Sequence, residues 1–232
     1  MPMKTTSRFV KIRENEIFES FSPSDFSRLQ NVFEELDYPK HHLLFTPGSP
    51  SQLIYFIETG RVRISKTSPE GKSLILAILG PADVISDAAW QISEHDSQAE
   101  CIEDCRLYAI NKEVFRKLIK ENPEFGISLL QNFANRLKQA QSRIEDLVFR
   151  QVPSRVARLI LSLAETYGKV TPNGIKVEFP ITHQEIADLV GSSRVTVTQI
   201  LNRMRSSNFI NIEGKRVTIH NYNALEEMVN QT

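Results

Sequence analysis

Arg194, Val195, Thr198, Gln199 and Asn202 follow one another in steps of one and three. On a helix that spacing puts all five on one face. The face would offer a guanidinium fork, two amides, a hydroxyl and a branched methyl pair. Such a set suits base edges in the major groove of double-stranded DNA. The whole segment Ile181–Leu201 reads as two short amphipathic helices with a tight turn between them. That is the layout of a helix-turn-helix, which sends its second helix into the groove. A generic helical hairpin within a core is the competing reading, because capped helix pairs are common. Other chemistries lack their residues. There is no Ser-His-Asp or Cys-His constellation, no metal-ligand spacing and no Gly-rich phosphate loop, so an enzyme has no support.

The residues that must hold this face carry their own signals. Thr182 and Glu185 fit a capping box, and Ile181 can staple onto Ile186. Gly191 stands where the first helix must reverse. Ser193 caps the second helix, whose Val197, Ile200, Leu201 and Met204 form a core stripe. Phe209–Ile212 and Arg216–Ile219 then read as two strands around the turn Glu213-Gly214-Lys215. A hairpin in that position is a wing. The expected DNA-backbone contacts are Thr182, Ser193, Thr196, Asn202, Lys215 and Arg216.

Composition bounds the rest. The chain has 232 residues, 41% of them apolar, which is enough for one or two cores. It has no run of 18 apolar residues and no apolar stretch at Met1–Thr6, so neither a membrane span nor a secretory signal is expected. Cys101 and Cys105 make no disulfide framework, and a reduced cytoplasmic protein fits best. Four positions of extended strand separate them by about 13 Å, too far for a bridge, so buried core thiols are expected. Net charge is zero; residues 151–232 carry nine basic and seven acidic side chains, the remainder 19 and 21. Any affinity for DNA must therefore come from local placement of charge.

Residues 40 to about 110 alternate short strands and turns, as in a sandwich or jelly-roll barrel. Leu53–Thr59 and Val62–Ser65 flank Gly60, and Leu74–Leu79 reads as a buried strand. His41 and His42 should point to opposite faces and make a poor metal pair. Asn122 and Pro123 open a long helix. Leu130, Ala134, Leu137, Gln141, Ile144 and Val148 recur on it as a narrow a/d seam, which predicts a homodimer. Phe133, Leu147 and Phe149 widen that face, so the helix should also pack on its own barrel. Val152-Pro153-Ser154 restarts a helix at a plausible hinge.

A β-rich barrel, a long helix and a winged helix-turn-helix, in that order, resemble the cyclic-AMP receptor protein/FNR (Crp/Fnr) superfamily of bacterial transcription regulators. The likeness covers nearly the whole chain. Its most specific parts are Ile181–Leu201, Phe56–Val62 and Gly80-Pro81-Ala82-Asp83-Val84-Ile85. It implies an α+β chain in three parts: a cyclic-nucleotide-binding-like β-barrel with N-terminal helices (1–121), a dimerisation helix (122–151) and a winged helix-turn-helix (152–232). It also implies a homodimer on a palindrome, with RNA polymerase as a further partner and no membrane. Arg194 looks like the family's guanine reader. Val195 and Gln199 replace a glutamate and an arginine of the cyclic-AMP receptor protein. They suit a thymine methyl and adenine N6/N7, so with Thr198 the expected half-site has one G and then A·T pairs. The Ser193–Thr198 run is most similar to the cyanobacterial nitrogen-regulator branch.

The effector pocket that the family implies is degenerate here. Ile85, Ser86, Asp87 and Ala88 align with its Phe-Gly-Glu cassette, and His95 and Asp96 with its phosphate-binding Arg-Ser pair. Ser73–Cys105 contains no Lys or Arg but seven acids. A phosphate or dicarboxylate needs a paired cation, so neither cyclic AMP nor 2-oxoglutarate is expected. A cation reaching in from Arg136, Lys138 or Arg143 is the exception to watch. No N-terminal cysteine cluster is present for iron–sulfur, and Ser86 and Ala88 stand where haem-binding relatives have ligands. Pro2 alone echoes a haem ligand. No cofactor or metal is therefore expected. The alternative function is a ligand-binding module whose C-terminal part docks a protein.

Overall fold

Eight strands follow one another between residues 34 and 111: β1 (Glu34–Tyr38), β2 (Leu43–Phe45), β3 (Leu53–Thr59), β4 (Val62–Thr67), β5 (Ser73–Leu79), β6 (Val84–Ile85), β7 (Gln98–Cys101) and β8 (Cys105–Asn111). They form two antiparallel sheets, ordered β1-β8-β3-β6 and β2-β7-β4-β5, in a computed structural model that describes residues 16–19, 21, 29, 32–86 and 93–230. The β-barrel is as expected. The expected N-terminal helices lie largely outside the described residues; a 3-10 turn, Glu16–Phe18, is described.

The run Leu53–Ile57 is continuously apolar because β3 has a core on each face. Strand period two sends Ile54 and Phe56 one way and Tyr55 and Ile57 the other. β8 splits likewise, with Tyr108 and Ile110 on the first side and Cys105, Leu107 and Ala109 on the second. The first side is an aromatic cluster. Phe18 is fully buried there, with ring centroids 4.9 Å from Phe56 and 5.4 Å from Phe125. The second side fills the barrel interior.

Two local expectations change. Leu74 and Leu76 are exposed, because β5 is the edge of its sheet and alternates like any one-sided strand. The chain turns at residues 102–104, so Cys101 and Cys105 are not spaced along one strand. Cys105 Sγ donates to Arg61 O and Glu103 O, both at 3.3 Å, and the interaction between the neighbouring thiols pushes Cys101 up and Cys105 down. Both remain buried core thiols, as expected. Gly60 permits the close packing beside them: a Cβ there would lie 2.4 Å from Asp104 O and 2.7 Å from Cys105 Sγ.

Helix α1 (Lys112–Glu121) was not evident from the sequence; Asn111 caps it by accepting from Glu113 N at 2.9 Å. Asn122 does not cap the next helix. Its amide donates back to Leu118 O at 3.2 Å and closes α1. Helix α2 (Pro123–Phe149) buries Phe125 and Leu129 against the aromatic cluster and packs Phe133 beside it. Leu130, Leu137, Ile144 and Val148 stay 60–68% exposed, and Ala134 and Gln141 are exposed with them. The chain divides into two compact units, residues 1–138 and 139–232, so α2 contributes to both. No described helix is long and apolar enough to cross a membrane.

In the second unit α3 (Val152–Tyr167) packs against α4 (His183–Val190), α5 (Arg194–Ser206) and α6 (Tyr222–Asn230). Strands β9 (Gly168–Thr171), β10 (Gly174–Val177), β11 (Ile210–Glu213) and β12 (Arg216–Ile219) form a sheet ordered β11-β12-β10-β9. Its first hairpin, β9–β10, was not foreseen. The expected hinge at Val152-Pro153-Ser154 lies in a braced corner. Arg155 donates to Val190 O (3.0 Å) at the end of α4, and to Arg150 O (2.9 Å) and Leu147 O (3.5 Å) at the end of α2. Arg150 and Ser154 both donate to Val229 O in the last turn of α6. Asp146 takes Arg150 at 3.0 Å and Arg158 at 2.9 Å.

Helix C-terminal carbonyls lack intrahelical donors, and here one guanidinium serves two helix ends. Arg155→Ala should cost about 2–3 kcal/mol in denaturant unfolding of the second unit, from the loss of charge-assisted bonds. Arg155→Lys should recover only part of it, because an ammonium cannot reproduce the fork.

Candidate nucleic-acid interface

The first helix of the reading segment starts as its sequence requires. Thr182 Oγ1 accepts from Glu185 N (3.1 Å), and Glu185 Oε2 accepts from Thr182 N (2.8 Å). Ile181 and Ile186 are both buried. Gly191 ends α4 in the left-handed region at φ 62°, and a Cβ there would approach Leu147 Cδ2 to 2.9 Å. Ser193 Oγ then accepts from Thr196 N at 3.1 Å and opens α5. Val197, Ile200, Leu201 and Met204 are buried, which fixes the rotation of the helix.

With that face inward, the other faces out. Arg194, Val195, Gln199 and Asn202 are exposed, and Val195 reaches 68%. Thr198 is half-buried, with its Oγ1 3.0 Å from His183 Nδ1. Among the expected backbone contacts, three hydroxyls already serve the fold. Thr182 Oγ1 donates to Glu185 Oε2 (2.7 Å), and the Ser193 and Thr196 hydroxyls lie 2.8 Å apart. Asn202 and Lys215 are exposed. Arg216 is exposed but pairs with Glu178 at 2.8 Å.

The wing is a two-residue hairpin, since Glu213 pairs directly with Arg216. Ile181 N donates to Lys215 O at 2.7 Å, so the wing turn is tied to the entry of α4. Sequence reasoning missed three contributors. Arg203 and Arg205 are exposed in the last turn of α5, where cations also favour the helix dipole. Arg205 follows Arg194 by eleven positions, about three helical turns, which was its available signal; the spacing of Arg203 gave none. His183 had none, because its partner lies on another helix.

In the barrel, the residues aligned with the effector cassette are occupied otherwise. His95 is buried and stacks flat on Phe45, centroids 3.7 Å apart. Asp96 points to Lys66 at 2.6 Å. Ile85 is buried; Asp87 and Ala88 lie outside the described residues. Ser86 Oγ and Asn132 Oδ1 are buried with no hydrogen-bond partner among the described residues. One helix cation does approach: Arg136 Nη1 donates to Val84 O at 2.9 Å. Two acids of the cation-free span are matched from the start of β4 and the residue before it, with Arg61 on Glu103 and Arg63 on Glu100. His41 bonds Glu100 at 3.0 Å while His42 stacks on Tyr38, so the two histidines do diverge. The described residues hold no cluster of three or more metal-ligating side chains.

Comparison with known proteins agrees with both halves. Residues 154–228 match the Crp-like helix-turn-helix domain, and residues 35–122 the cyclic nucleotide-binding domain. A CRP-like cAMP-activated global transcriptional regulator of Mycobacterium tuberculosis is 33% identical over 204 residues, covering 88% of this chain and 91% of that one. A global nitrogen regulator of Synechocystis is 32% identical over 199 residues, covering 84% and 88%. The solved structure of a CooA variant from Carboxydothermus hydrogenoformans shares the fold, with a TM-score of 0.78, 24% identity and 97% of each chain covered.

Proposed function

The chain belongs to the Crp/Fnr superfamily of DNA-binding transcription regulators, and from that premise we propose that it acts as a homodimer on a palindromic operator, without cyclic AMP as its switch. The observation that carries the reading is the outward edge Arg194-Val195-Gln199 on a helix whose rotation is fixed by four buried side chains. Arg194 is assigned to guanine O6/N7, Val195 to a thymine methyl and Gln199 to adenine N6/N7. Lys215 and Arg216 of the wing, with Asn202, are assigned to the backbone. The exposed seam Leu130–Val148 supports the dimer, because such an apolar stripe is costly to leave in water. Two copies would set their recognition helices one DNA turn apart, about 34–36 Å. The protein would work in the cytoplasm, with RNA polymerase as its partner at promoters.

Independence from cyclic AMP is supported by where the aligned residues point. His95 is committed to Phe45 and Asp96 to Lys66, and neither is a phosphate-binding cation pair. The approaching Arg136 is bonded to the Val84 carbonyl. Ser86 Oγ and Asn132 Oδ1 suit a small neutral hydrogen-bonding effector better than an anion.

Three outcomes test this reading. Arg194→Ala should cost about 1–3 kcal/mol on the selected operator and relax selection at its G. An equal loss on every sequence would remove Arg194 from base reading. The double change Leu137→Glu and Ile144→Glu should give a monomer in sedimentation; a persisting dimer would place the interface elsewhere. In a binding isotherm of effector-free protein, added cyclic AMP should change operator affinity by less than the ~5-fold at which allosteric couplings usually begin. Binding that is weak until the nucleotide is added would refute its independence.

A further inference from the structure

Thr198 sits mid-helix, where a threonine hydroxyl usually bonds the carbonyl four residues back. Here its hydroxyl is paired instead with His183 Nδ1 across the α4–α5 contact, at 3.0 Å. Thr198 is that ring's one polar partner among the described residues. The pair lies on the reading head, with Thr198 on the same face as Arg194 and Asn202. We propose that His183 is a positioning residue for base recognition, whose protonation state sets whether Thr198 meets DNA as a hydrogen-bond acceptor or as a donor. This rests on the DNA-reading role proposed for α5.

The chemistry follows from counting hydrogens. A hydroxyl has one hydrogen and two lone pairs. When the imidazole is neutral with its proton on Nε2, Nδ1 can only accept. Thr198 then spends its hydrogen on Nδ1, and its free lone pair faces outward, suited to the amino group of adenine or cytosine. A DNA phosphate accepting from Nε2–H would hold that tautomer. When the ring is an imidazolium, both nitrogens donate. Nδ1–H then points at Thr198 Oγ1, and the hydroxyl hydrogen turns outward, suited to the acceptors of guanine or thymine. The added positive charge also strengthens attraction to phosphate.

Charged groups lie on the elements around the ring, and most of them are held by other partners. On its own helix Glu185 is held in the cap and Asp188 accepts from Gln184 at 2.7 Å. On α3, Arg155 is committed to backbone carbonyls and Arg158 to Asp146. At the wing Arg216 pairs with Glu178, Glu213 accepts from Asn211 at 3.1 Å, and Lys215 is exposed. On α5, Arg194, Arg203 and Arg205 are exposed. None of these forms an ion pair with His183 among the described residues.

The test uses the full chain and an operator obtained by random-sequence selection. Thr198→Val first identifies the base pair whose preference depends on Thr198. Four duplexes differing only there are then titrated by fluorescence anisotropy at about pH 8 and about pH 5.5, a range that spans ordinary imidazole titration. In the wild type, preference should move from adenine or cytosine toward guanine or thymine by about 3- to 10-fold, the worth of one hydrogen bond. His183→Gln should show no such shift, whatever its affinity at about pH 8. The proposal is overturned if no position depends on Thr198, if acid changes affinity equally for all four duplexes, or if His183→Gln keeps the shift. Failure of the underlying DNA reading looks different: selection would then enrich no sequence at either pH.

Discussion

Three helices end at one corner of the second unit, and their last carbonyls need donors that no helix can supply. Arg155 answers for two of them, linking the end of α4 to the end of α2. Arg150 and Ser154 answer for the third, α6. The consequence is mechanical. The last residues of the seam helix, from Asp146 onward, are tied to the helix that precedes the recognition helix. Those bonds join the seam segment directly to α4 through a single guanidinium. Gly191, whose missing Cβ leaves room for Leu147, is the second contact in the same place.

From this corner outward, position is set by burial. The stripe Val197-Ile200-Leu201-Met204 fixes the rotation of α5, and rotation decides which side chains meet DNA. The wing is held to the entry of α4 through the Ile181–Lys215 backbone bond. Net charge has little to do with it. The chain is neutral, so affinity must rest on a few cations that escape internal pairing, Arg194, Arg203, Arg205 and Lys215 among those exposed. Where cations are paired, as in Arg61 with Glu103 and Arg63 with Glu100, they balance acids of the barrel instead.

What was legible in the sequence was local. The capping box, the Gly191 reversal, the Ser193 cap and the core stripe each involve residues within one or two helical turns, and all stand as read. The exposed apolar stripe from Leu130 to Val148 was legible because a heptad is a periodicity. What was not legible depended on partners far along the chain. Arg155 caps a carbonyl 35 positions away, and His183 meets Thr198 15 positions away. Leu74–Leu79 was read as buried because an apolar run does not announce that its strand is an edge. The cysteines misled for a related reason: four positions were treated as extended chain, and the chain turns between them. Asn122 sits between two helices, and only geometry shows which one it serves.

The central claim is that the chain reads DNA as a symmetric pair of heads without a nucleotide signal. Random-sequence selection with effector-free full-length protein tests it most directly. The account requires an enriched palindrome, each half-site holding one invariant G next to A·T pairs, with centres about 10–10.5 base pairs apart. A single asymmetric half-site, or enrichment seen only when cyclic AMP is present, would contradict it.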